Sequence, residues 1–312
     1  MISARGLTKS YGDLVAVNDV SFTIRKGEIT GILGPNGAGK TTTLRMLTCY
    51  LEPDRGDIVI GDHNVKDNPL EVKKIIGYLP ESAPLYPDML VYDYLVYVSE
   101  VRGVPANGRI REIGRLCGIN EVMHKNISEL SKGYKQRVGL AHAMIHDPEI
   151  LILDEPTSGL DPNQIVEIRN LIKEIGKQKT VILSTHILPE VEATCDRVII
   201  IDRGSIVADD RTDILQKSLG KDNRISLKVS GADFAALSEA MKGIAGVRDV
   251  ARLDDRDLTG ALITVSGDSE ARPEIFKTVG ARGWVLYEMK QEQVSLENIF
   301  RQLTQGGNNG QI

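Results

Sequence analysis

The 312-residue chain has few aromatic side chains, three cysteines, no excess of basic residues and no long uninterrupted hydrophobic run. Its net charge of −5 disfavours a protein that follows the phosphates of a nucleic acid, so no nucleic-acid partner is expected. Because Cys49, Cys117 and Cys195 lie far apart and lack the spacing of metal ligands, we expect buried thiols in a reducing compartment. The most apolar stretch, residues 89–101, contains Asp93 and is too short to cross a bilayer. The N-terminus lacks the apolar segment of a secretory signal, and a cytoplasmic location is therefore predicted.

The order of apolar and helical patterns predicts an α/β fold built on a mainly parallel sheet. The runs EILILDE, TVILSTH and DRVIIIDRG are continuous apolar segments, separated by helical patterns such as residues 162–176. Such runs are typical of strands that are buried on both faces of a parallel sheet. Short strand patterns dominate residues 1–60, a helical pattern interrupts them over residues 40–51, and residues 85–147 are mostly helical. We therefore predict one α/β domain over residues 1–220 that includes a helical subdomain.

A second domain is predicted after residue 220, where the pattern changes. Residues 221–304 show the order strand, helix, strand, strand, helix, strand, with a last helix at 295–304. This βαββαβ order is typical of a ferredoxin-like α+β domain. We expect residues 305–312 to form a disordered tail. Two roles for this domain stay open: a packing or dimer-stabilising appendage without a ligand, and a metabolite sensor.

The sequence GPNGAGKT at residues 34–41 is typical of a phosphate-binding loop. Glycines at its turns let successive backbone N–H groups point at phosphate oxygens, and the following helix adds its positive end. Lys40 is placed to bridge the β- and γ-phosphates, and the hydroxyl of Thr41 to bind Mg²⁺. A plain glycine turn is the alternative, but a strand pattern precedes the loop and a helical pattern follows it, as nucleotide binding requires. The predicted binding residues are Gly34, Pro35, Asn36, Gly37, Ala38, Gly39, Lys40, Thr41 and Thr42.

A second motif, ILILDEP, places two carboxylates at the end of an apolar run. A buried strand should not end in Asp154 and Glu155 unless they face a cation or a reacting water. Asp154 is therefore predicted to hold Mg²⁺, directly or through a neighbouring ligand, and Glu155 to accept a proton from the attacking water. A solvated strand end is the alternative, which the phosphate-binding loop upstream disfavours.

Together with LSKGYKQR, TSGLD and STH, these motifs resemble in order and spacing the ATP-binding subunits of ABC transporters over residues 1 to about 220. The resemblance implies an ATPase that binds ATP and Mg²⁺ on a parallel sheet flanked by an antiparallel sheet and a helical subdomain. It also implies a head-to-tail dimer, and the complete set of motifs favours two identical subunits. In that dimer, the Ser131 hydroxyl and the Gly133 backbone N–H of one chain reach the γ-phosphate bound by the other.

The resemblance assigns roles to three more residues. Tyr11 matches the aromatic residue that stacks on adenine, with an ordinary tyrosine at a strand end as the alternative. Asp161 matches the residue that contacts the partner subunit and couples the two sites. His186 matches the histidine that contacts the γ-phosphate, and its position after a buried strand favours this role over a structural one.

Two positions depart from the family pattern. Where the family has glycine this chain has Lys132. Two interpretations stay open: its charge alters the electrostatic field at the phosphate, or it is an ordinary solvated lysine. Where the family has glutamine this chain has Glu81. A carboxylate beside the γ-phosphate is repelled unless it binds the metal, so we predict that Glu81 is a Mg²⁺ ligand and part of the catalytic site.

These departures and the C-terminal domain resemble ATPases that act with separately encoded ABC-2-type permeases, including gliding-motility-associated and multidrug export ATPases. The resemblance implies that ATP-driven closing and opening of the dimer powers export, and that the chain is peripheral on the inner face of the cell membrane. The expected permease contact lies within residues 84–104, whose tyrosines either grip a permease helix or pack internally. These tyrosines are Tyr86, Tyr92, Tyr94 and Tyr97.

The alternative function is a soluble ABC-type ATPase that acts on ribosomes or DNA. Family members that act on ribosomes usually carry two ATPase cassettes in one chain, whereas this sequence has one phosphate-binding loop. DNA-repair members separate their nucleotide motifs with long coiled-coil heptads, and residues 41–153 show no such repeat. The transporter function is therefore favoured.

Overall fold

The computed structural model describes residues 1–218, 222–255, 257–266 and 270–292, so the last predicted helix and the predicted tail lie outside the described residues. The chain divides into two units, Met1–Thr212 and Asp213–Ile312. The domain limits predicted at residues 220 and 221 stay predictions. Among the described residues, no helix combines the length and apolar character needed to cross a membrane.

The first unit alternates strands and helices. In chain order its elements are β1 (Ile2–Tyr11), β2 (Leu14–Ile24), β3 (Ile29–Leu33), α1 (Lys40–Leu47), β4 (Arg55–Ile60), β5 (His63–Asn64), α2 (Pro69–Ile75), β6 (Ile76–Leu79), α3 (Val91–Val101), α4 (Ala106–Leu116), α5 (Lys132–Met144), β7 (Ile150–Asp154), α6 (Pro162–Gly176), β8 (Thr180–Thr185), α7 (Leu188–Thr194), β9 (Arg197–Asp202) and β10 (Ser205–Arg211). Two short 3₁₀ helices lie between α4 and α5, at Asn120–Val122 and Ile127–Glu129. Helix α8 (Thr212–Ser218) begins at the division between the units.

A six-stranded sheet of order β10-β9-β3-β8-β7-β6 forms the centre of the first unit. The neighbours from β9 to β6 pair in parallel, and β10 pairs antiparallel to β9. Every residue of β7 and β8 is buried, as their continuous apolar runs predicted, and so is every residue of β3. Because neighbouring parallel strands end at the same edge, the segments that follow β3, β7 and β8 are brought together there.

A second, antiparallel sheet of order β2-β1-β4-β5 completes the α/β unit. One apolar cluster joins this sheet, α1 and the six-stranded sheet. Its members include Ile2, Ile24 and Ile60 from the antiparallel sheet, Leu44 and Leu47 from α1, and Ile32, Ile152, Ile182 and Ile199 from the six-stranded sheet. Because α1 packs against both sheets, the glycine-rich loop that precedes it has a fixed position.

Helix α1 is shorter than the helical pattern over residues 40–51 predicted, because it ends at Leu47. Cys49 adopts a positive φ of 55°, the left-handed conformation that commonly ends helices. The N–H groups of Tyr50 and Leu51 then donate to the carbonyl oxygen of Arg45, at 2.9 and 3.1 Å. The prediction was wrong here because side-chain periodicity carries no sign of a left-handed turn at a residue other than glycine.

The helical subdomain packs around a tyrosine from α3. Tyr94 is 1% exposed, and its hydroxyl lies 2.6 Å from Nδ1 of His142 on α5. This burial excludes Tyr94 from the set of surface anchors expected in residues 84–104 and places it in the core instead. Its ring also lies edge-on to Tyr86, which remains half exposed.

The second unit is formed by β11 (Asp222–Ser230), α9 (Phe234–Lys242), β12 (Val247–Leu253), β13 (Thr259–Ser266), α10 (Arg272–Ala281) and β14 (Val285–Glu292). All neighbours in its sheet, of order β12-β13-β11-β14, pair antiparallel. Both helices contribute to one apolar cluster with the sheet, including Leu237, Met241, Ile275 and Val279 from the helices and Ile225, Leu227, Val229 and Ile263 from the strands. The βαββαβ order of the predicted fold class is therefore present.

The partly buried His142 makes the stability of the first unit depend on pH. Burial, together with the nearby charges of Arg102 and His146, lowers the pKa of His142 to about 4. As the pH falls from 7 to 5, the unfolded chain takes up a proton at this imidazole while the folded chain does not. We therefore expect His142 alone to reduce the free energy of unfolding by about 2 kcal/mol over this range.

Urea unfolding at pH 7 and pH 5, followed by circular dichroism, measures this difference in wild type and in His142→Gln. Glutamine keeps a hydrogen-bonding partner for Tyr94 but does not titrate, so the variant should lose less stability on acidification. Fluorescence of Trp284, the single tryptophan of the chain, reports the second unit separately. His124→Gln, at an exposed position, is the control, and equal pH dependence in both variants would contradict the prediction.

Candidate active site

The glycine-rich loop between β3 and α1 is shaped by close backbone approaches. A Cβ at Gly34 would collide with the carbonyl oxygen of Ile201, and one at Gly39, where φ is 106°, with that of Ala16. Glycine is therefore required at both positions. Within the loop, Nζ of Lys40 donates to the carbonyl oxygen of Gly34 at 2.8 Å. The sequence thus places a buried ammonium group directly beneath a curled backbone.

Two hydroxyl groups hold Asp154 at the end of β7. Its Oδ1 accepts hydrogen bonds from Thr41 Oγ1 at 3.1 Å and from Ser184 Oγ at 2.6 Å. Asp154 and Ser184 are direct neighbours in the parallel pairing of β7 and β8, and Asp154 is 1% exposed. Ser184 Oγ also accepts the backbone N–H of Glu155 at 3.0 Å. One buried serine therefore positions both residues of the carboxylate pair.

Glu155 lies between the loop lysine and His186. Its Oε1 is 3.3 Å from Nζ of Lys40, and its Oε2 is 2.9 Å from Nδ1 of His186. The residue has a positive φ of 46°, an unusual conformation for glutamate that points to a constrained site. The arrangement can polarise a water molecule, because a carboxylate with a histidine neighbour is suited to accept a proton.

These groups open into a cavity of about 490 Å³. Its lining comprises Tyr11, Leu14, Ala16, Asn36, Gly37, Ala38, Gly39, Lys40, Thr41, Thr42, Glu81, Glu155, Ser158 and His186. The structure therefore brings Tyr11, Glu81, Glu155 and His186 to the loop. Gly34, Pro35 and Asp154 lie behind this lining, where they contact Lys40 and Thr41.

Two residues of the site were missed in the sequence. Ser158 lines the cavity and belongs to the motif TSGLD, in which the prediction singled out Asp161 alone. Ser184 lies in an otherwise apolar run, so its pattern indicates a buried strand and gives no sign of a hydrogen bond to Asp154. The available signal was the STH motif, in which Ser184 comes two residues before His186.

Ser131, Gly133 and Asp161 do not line the cavity, and they begin helices of the same chain. Ser131 caps α5 by accepting the N–H of Tyr134 at 3.3 Å, and Asp161 caps α6 by accepting that of Gln164 at 2.9 Å. Gly133 packs against the Gln164 side chain, so closely that a Cβ there would lie 2.7 Å from its Cδ. The structure thus separates these three residues from the cavity of their own chain.

Glu81 and Lys132, the two residues that depart from the family pattern, line a second cavity. This cavity, of about 330 Å³, contains Glu81 and Ser158, which also line the first cavity, and Lys132, Lys135 and Gln136. Nζ of Lys132 lies against Gly159, at the position that a Cβ of that glycine would occupy. Lys132 therefore contacts the TSGLD segment of its own chain, an arrangement that neither sequence interpretation anticipated.

The donor atoms at the cavity fit Mg²⁺ bound together with a nucleotide phosphate. Among the described residues, no group of three or more His, Cys, Asp or Glu side chains could hold a metal on its own. Mg²⁺ however takes few protein ligands at phosphate sites and prefers oxygen. The Thr41 hydroxyl supplies one such oxygen and the adjacent Asp154 carboxylate supplies others, and the carboxylate of Glu81 lines the same cavity as Thr41.

Comparison with protein-family models gives two matches. The model described as ABC transporter matches residues 17–158. A model described as AAA domain, putative AbiEii toxin, Type IV TA system matches residues 126–191.

Several curated proteins are similar over most of their length. Bacitracin transport ATP-binding protein BcrA of Bacillus licheniformis is 33% identical, with 99% of each chain covered. Linearmycin resistance ATP-binding protein LnrL of Bacillus subtilis is 37% identical, covering 80% of this chain and 81% of that protein. Nod factor export ATP-binding protein I of Bradyrhizobium diazoefficiens is 34% identical, covering 96% and 94%.

Solved structures agree with these relatives. The ATP-binding subunit of an ABC transporter superposes with a TM-score of 0.64 at 29% identity, covering 70% of this chain and 93% of that chain. The dimeric ATP-binding cassette MJ0796 bound to ADP and Pi superposes with a TM-score of 0.59 at 26% identity, covering 68% and 98%. The predicted family resemblance and fold class are thereby confirmed.

Ser184→Ala should slow ATP hydrolysis more than it weakens ATP binding. The change removes one hydrogen bond to the Asp154 carboxylate and one to the Glu155 backbone, while the loop around Lys40 is untouched. A hydrogen bond to a charged group is worth about 1.5–3 kcal/mol, so we expect kcat to fall roughly 10- to 100-fold. Steady-state kinetics measure kcat and KM for ATP.

Ser99→Ala is the matched control for this variant. Ser99 is also fully buried, and its hydroxyl donates to the carbonyl oxygen of Val104 at 2.6 Å, outside the cavity lining. A similar loss of kcat in both serine variants would mean that general destabilisation, rather than the position of the carboxylates, explains the effect.

Proposed function

The chain belongs to the family of ABC transporter ATP-binding proteins, and from this membership we propose the roles of its residues in export. It is an ATP-binding and ATP-hydrolysing subunit of an ABC transporter. The observation that carries the proposal is the position of Glu155 between Lys40 and His186 at the mouth of a phosphate-binding loop. The relatives act in bacitracin transport, linearmycin resistance and Nod factor export by name, so we propose that this chain powers export through a separate ABC-2-type permease.

ATP binding rearranges the charges that Lys40 balances. In the structure, its ammonium group contacts Glu155 and two loop carbonyl oxygens. We propose that the β- and γ-phosphates of ATP take the place of Glu155 beside Lys40, with the backbone N–H groups of residues 36–42 around them. Tyr11, half exposed at the end of β1, stacks on the adenine ring.

Thr41, Asp154 and Glu81 are proposed to hold Mg²⁺ against the nucleotide. When bound, the ion neutralises charge on the transferring phosphoryl group. Asp154 keeps the Thr41 hydroxyl in place through their hydrogen bond. Glu81 lines the same cavity from another segment of the chain, so its carboxylate would supply a further oxygen ligand.

Glu155 and His186 are proposed to carry the hydrolytic step. Glu155 accepts a proton from the attacking water while the water oxygen bonds to the γ-phosphorus and the bond from that phosphorus to the bridging oxygen breaks, which releases ADP. His186 contacts the γ-phosphate and, through its hydrogen bond at Nδ1, orients the Glu155 carboxylate. Glu155 then passes its proton to the phosphate, and departure of the phosphate leaves the carboxylate able to pair with Lys40 again.

A second copy of the chain completes each site. Ser131, Gly133 and Asp161 lie outside the cavity of their own chain, where they begin α5 and α6. We propose that in a head-to-tail homodimer Ser131 and Gly133 contact the γ-phosphate held by the partner, while Asp161 couples the two sites. Both ATP molecules are then shared between subunits, so binding closes the dimer and hydrolysis opens it.

The permease is proposed to contact residues 84–104 from the membrane side. Tyr86, Tyr92 and Tyr97 of this segment are each about half exposed, whereas Tyr94 is buried. A neighbouring cavity of about 450 Å³ is lined by residues of this segment, Arg102 among them, and by Arg45 and Lys73 among others. The chain would accordingly be peripheral on the inner face of the cell membrane.

The deciding experiment traps the closed dimer with Glu155→Gln in the presence of ATP and Mg²⁺. The glutamine cannot accept the proton, so ATP should stay bound between two subunits. Purification from membranes in mild detergent is expected to yield the dimer together with a membrane protein that has several spans. Lys40→Ala should lose ATP binding and serves as the untrapped control. Recovery of ribosomal proteins or nucleic acid without a membrane protein would contradict the transporter role.

Glu81→Gln tests the proposed metal ligand. Removing its charge should raise the Mg²⁺ concentration needed for half-maximal hydrolysis by roughly tenfold or more. Because glutamine is the residue of the family pattern, kcat at saturating Mg²⁺ should be largely retained. Glu71→Gln is the control, since Glu71 pairs with Lys74 and does not line the nucleotide cavity. Identical Mg²⁺ titrations of both variants would exclude a distinct role for Glu81.

A further inference from the structure

Glu190 on α7 is a carboxylate buried close to the active site but outside its lining. The residue is 4% exposed. Its Oε1 accepts a hydrogen bond from Thr157 Oγ1 at 2.6 Å, and its Oε2 accepts one from Thr185 Oγ1 at 2.7 Å. Both threonines are themselves buried. Each carboxylate oxygen is therefore occupied by a separate hydroxyl donor.

The two threonines belong to the two segments that carry the catalytic groups. Thr157 lies between Glu155 and Ser158, and Thr185 immediately precedes His186. The hydroxyl oxygen of Thr185 also accepts the backbone N–H of Ile187 at 3.0 Å. The Thr185 hydroxyl that bonds to Glu190 therefore also fixes the backbone around His186, which lies between Thr185 and Ile187. Glu190 thus joins the segment after β7 to the segment after β8.

A buried carboxylate is costly unless other groups compensate for its lost hydration. Within residues 1–218 and the other described ranges, no Lys, Arg or His nitrogen forms an ion pair with Glu190. The two short hydrogen bonds to hydroxyl groups are its compensation in the structure. The Glu190 carboxylate keeps both hydrogen bonds only while both threonines keep their positions. A displacement of either threonine therefore costs free energy, which couples the positions of the two.

We propose that Glu190 is a positioning residue that holds His186 and Ser158 at the cavity by fixing the segments that carry them. The inference rests on the proposed ATPase function, and it adds a residue for which no role was predicted. Glu190 does not touch the cavity, and it acts through Thr157 and Thr185. On the opposite side of β8, Ser184 fixes Asp154 and the Glu155 backbone, so the end of this strand holds both halves of the site.

A carboxylate suits this position better than an amide of the same shape. Both of its oxygens accept, whereas glutamine offers one accepting oxygen and one donating NH₂ group. In Glu190→Gln, one of the two threonine hydroxyls loses its acceptor and must turn. The variant therefore disturbs the connection with little change in volume.

The test compares Glu190→Gln, Thr157→Val and Thr185→Val with wild type in ATP hydrolysis by the full chain in its membrane complex. Each variant is expected to lower kcat at least about tenfold, while KM for ATP changes less than about twofold. Because the three residues act as one unit, Glu190→Gln combined with Thr185→Val should lose no more activity than the stronger single variant.

Hydrogen exchange supplies a second measurement that does not depend on activity. In Glu190→Gln, the amides of residues 155–161 and 184–190 should exchange faster together, because one connection has been lost. Thr180→Val is the matched control. Thr180 is a buried threonine at the other end of β8, where its hydroxyl accepts the N–H of Gly27 at 2.9 Å. The control should lose stability but keep kcat and the exchange of both active-site segments.

The outcomes separate the inference from the proposed function. If wild type hydrolyses ATP and Glu190→Gln does so at the same rate below its unfolding temperature, the positioning role is overturned. Faster exchange in one segment alone would overturn it as well. If the wild-type complex binds ATP without hydrolysing it, the proposed function fails, while joint loosening of the two segments would still support the connection through Glu190.

Discussion

The active site depends on a buried ion pair between Lys40 and Glu155, both less than 10% exposed. Neither charge would be stable there alone, because removing one member of a buried pair leaves the other uncompensated. Lys40 is therefore balanced by a glutamate as long as no phosphate is present. A phosphate that enters the loop competes for the same ammonium group. The charge balance of the cavity thus links nucleotide binding to the release of Glu155, the residue that we propose as the proton acceptor.

The pair is possible because the parallel sheet collects distant segments at one edge. Leu33 at the end of β3 lies beside Thr185 of β8, and Ser184 lies beside Asp154 of β7. Each of these three strands is buried along its whole length, and the one charged residue within them, Asp154, lies where β7 ends. The glycines at positions 34 and 39 then let the loop approach neighbouring backbone closely enough to place Lys40 under it.

The sequence predicts those parts of the site that short, local motifs encode. The loop with Lys40 and Thr41 and the pair of Asp154 and Glu155 could be predicted because residue type and neighbouring pattern carry the chemistry. The end of α1 could not, since a left-handed Cys49 leaves no mark on hydrophobic periodicity. The burial of Tyr94 was equally hidden, because an amphipathic helix shows one apolar face without indicating what covers it.

Ser184 and Glu190 were missed for a related reason. Ser184 bonds to Asp154 and Glu190 bonds to Thr157, in each case across 30 or more residues of chain, and a sequence gives no register between such distant segments. A glutamate in the pattern LPEVEAT has no feature that distinguishes it from the exposed Glu192 two residues later. What decides the role of Glu190 is which hydroxyl groups the ends of β7 and β8 place beside it, and that information belongs to the fold.

The starts of α5 and α6 contact each other within the chain, on the surface that we propose for the partner's nucleotide. Lys132 at the start of α5 contacts Gly159, just before α6, and Gly133 packs against Gln164 in the first turn of α6. Each of the two contacts involves one glycine. Both helix starts are positive ends, and Lys132 adds a further positive charge beside them. Since Gly159 follows Glu155 by a short turn, the segment that we propose to meet the partner's nucleotide rests on the loop that follows the proposed proton acceptor of the same chain. In the proposed dimer, a displacement of that loop would therefore reach the nucleotides of both subunits.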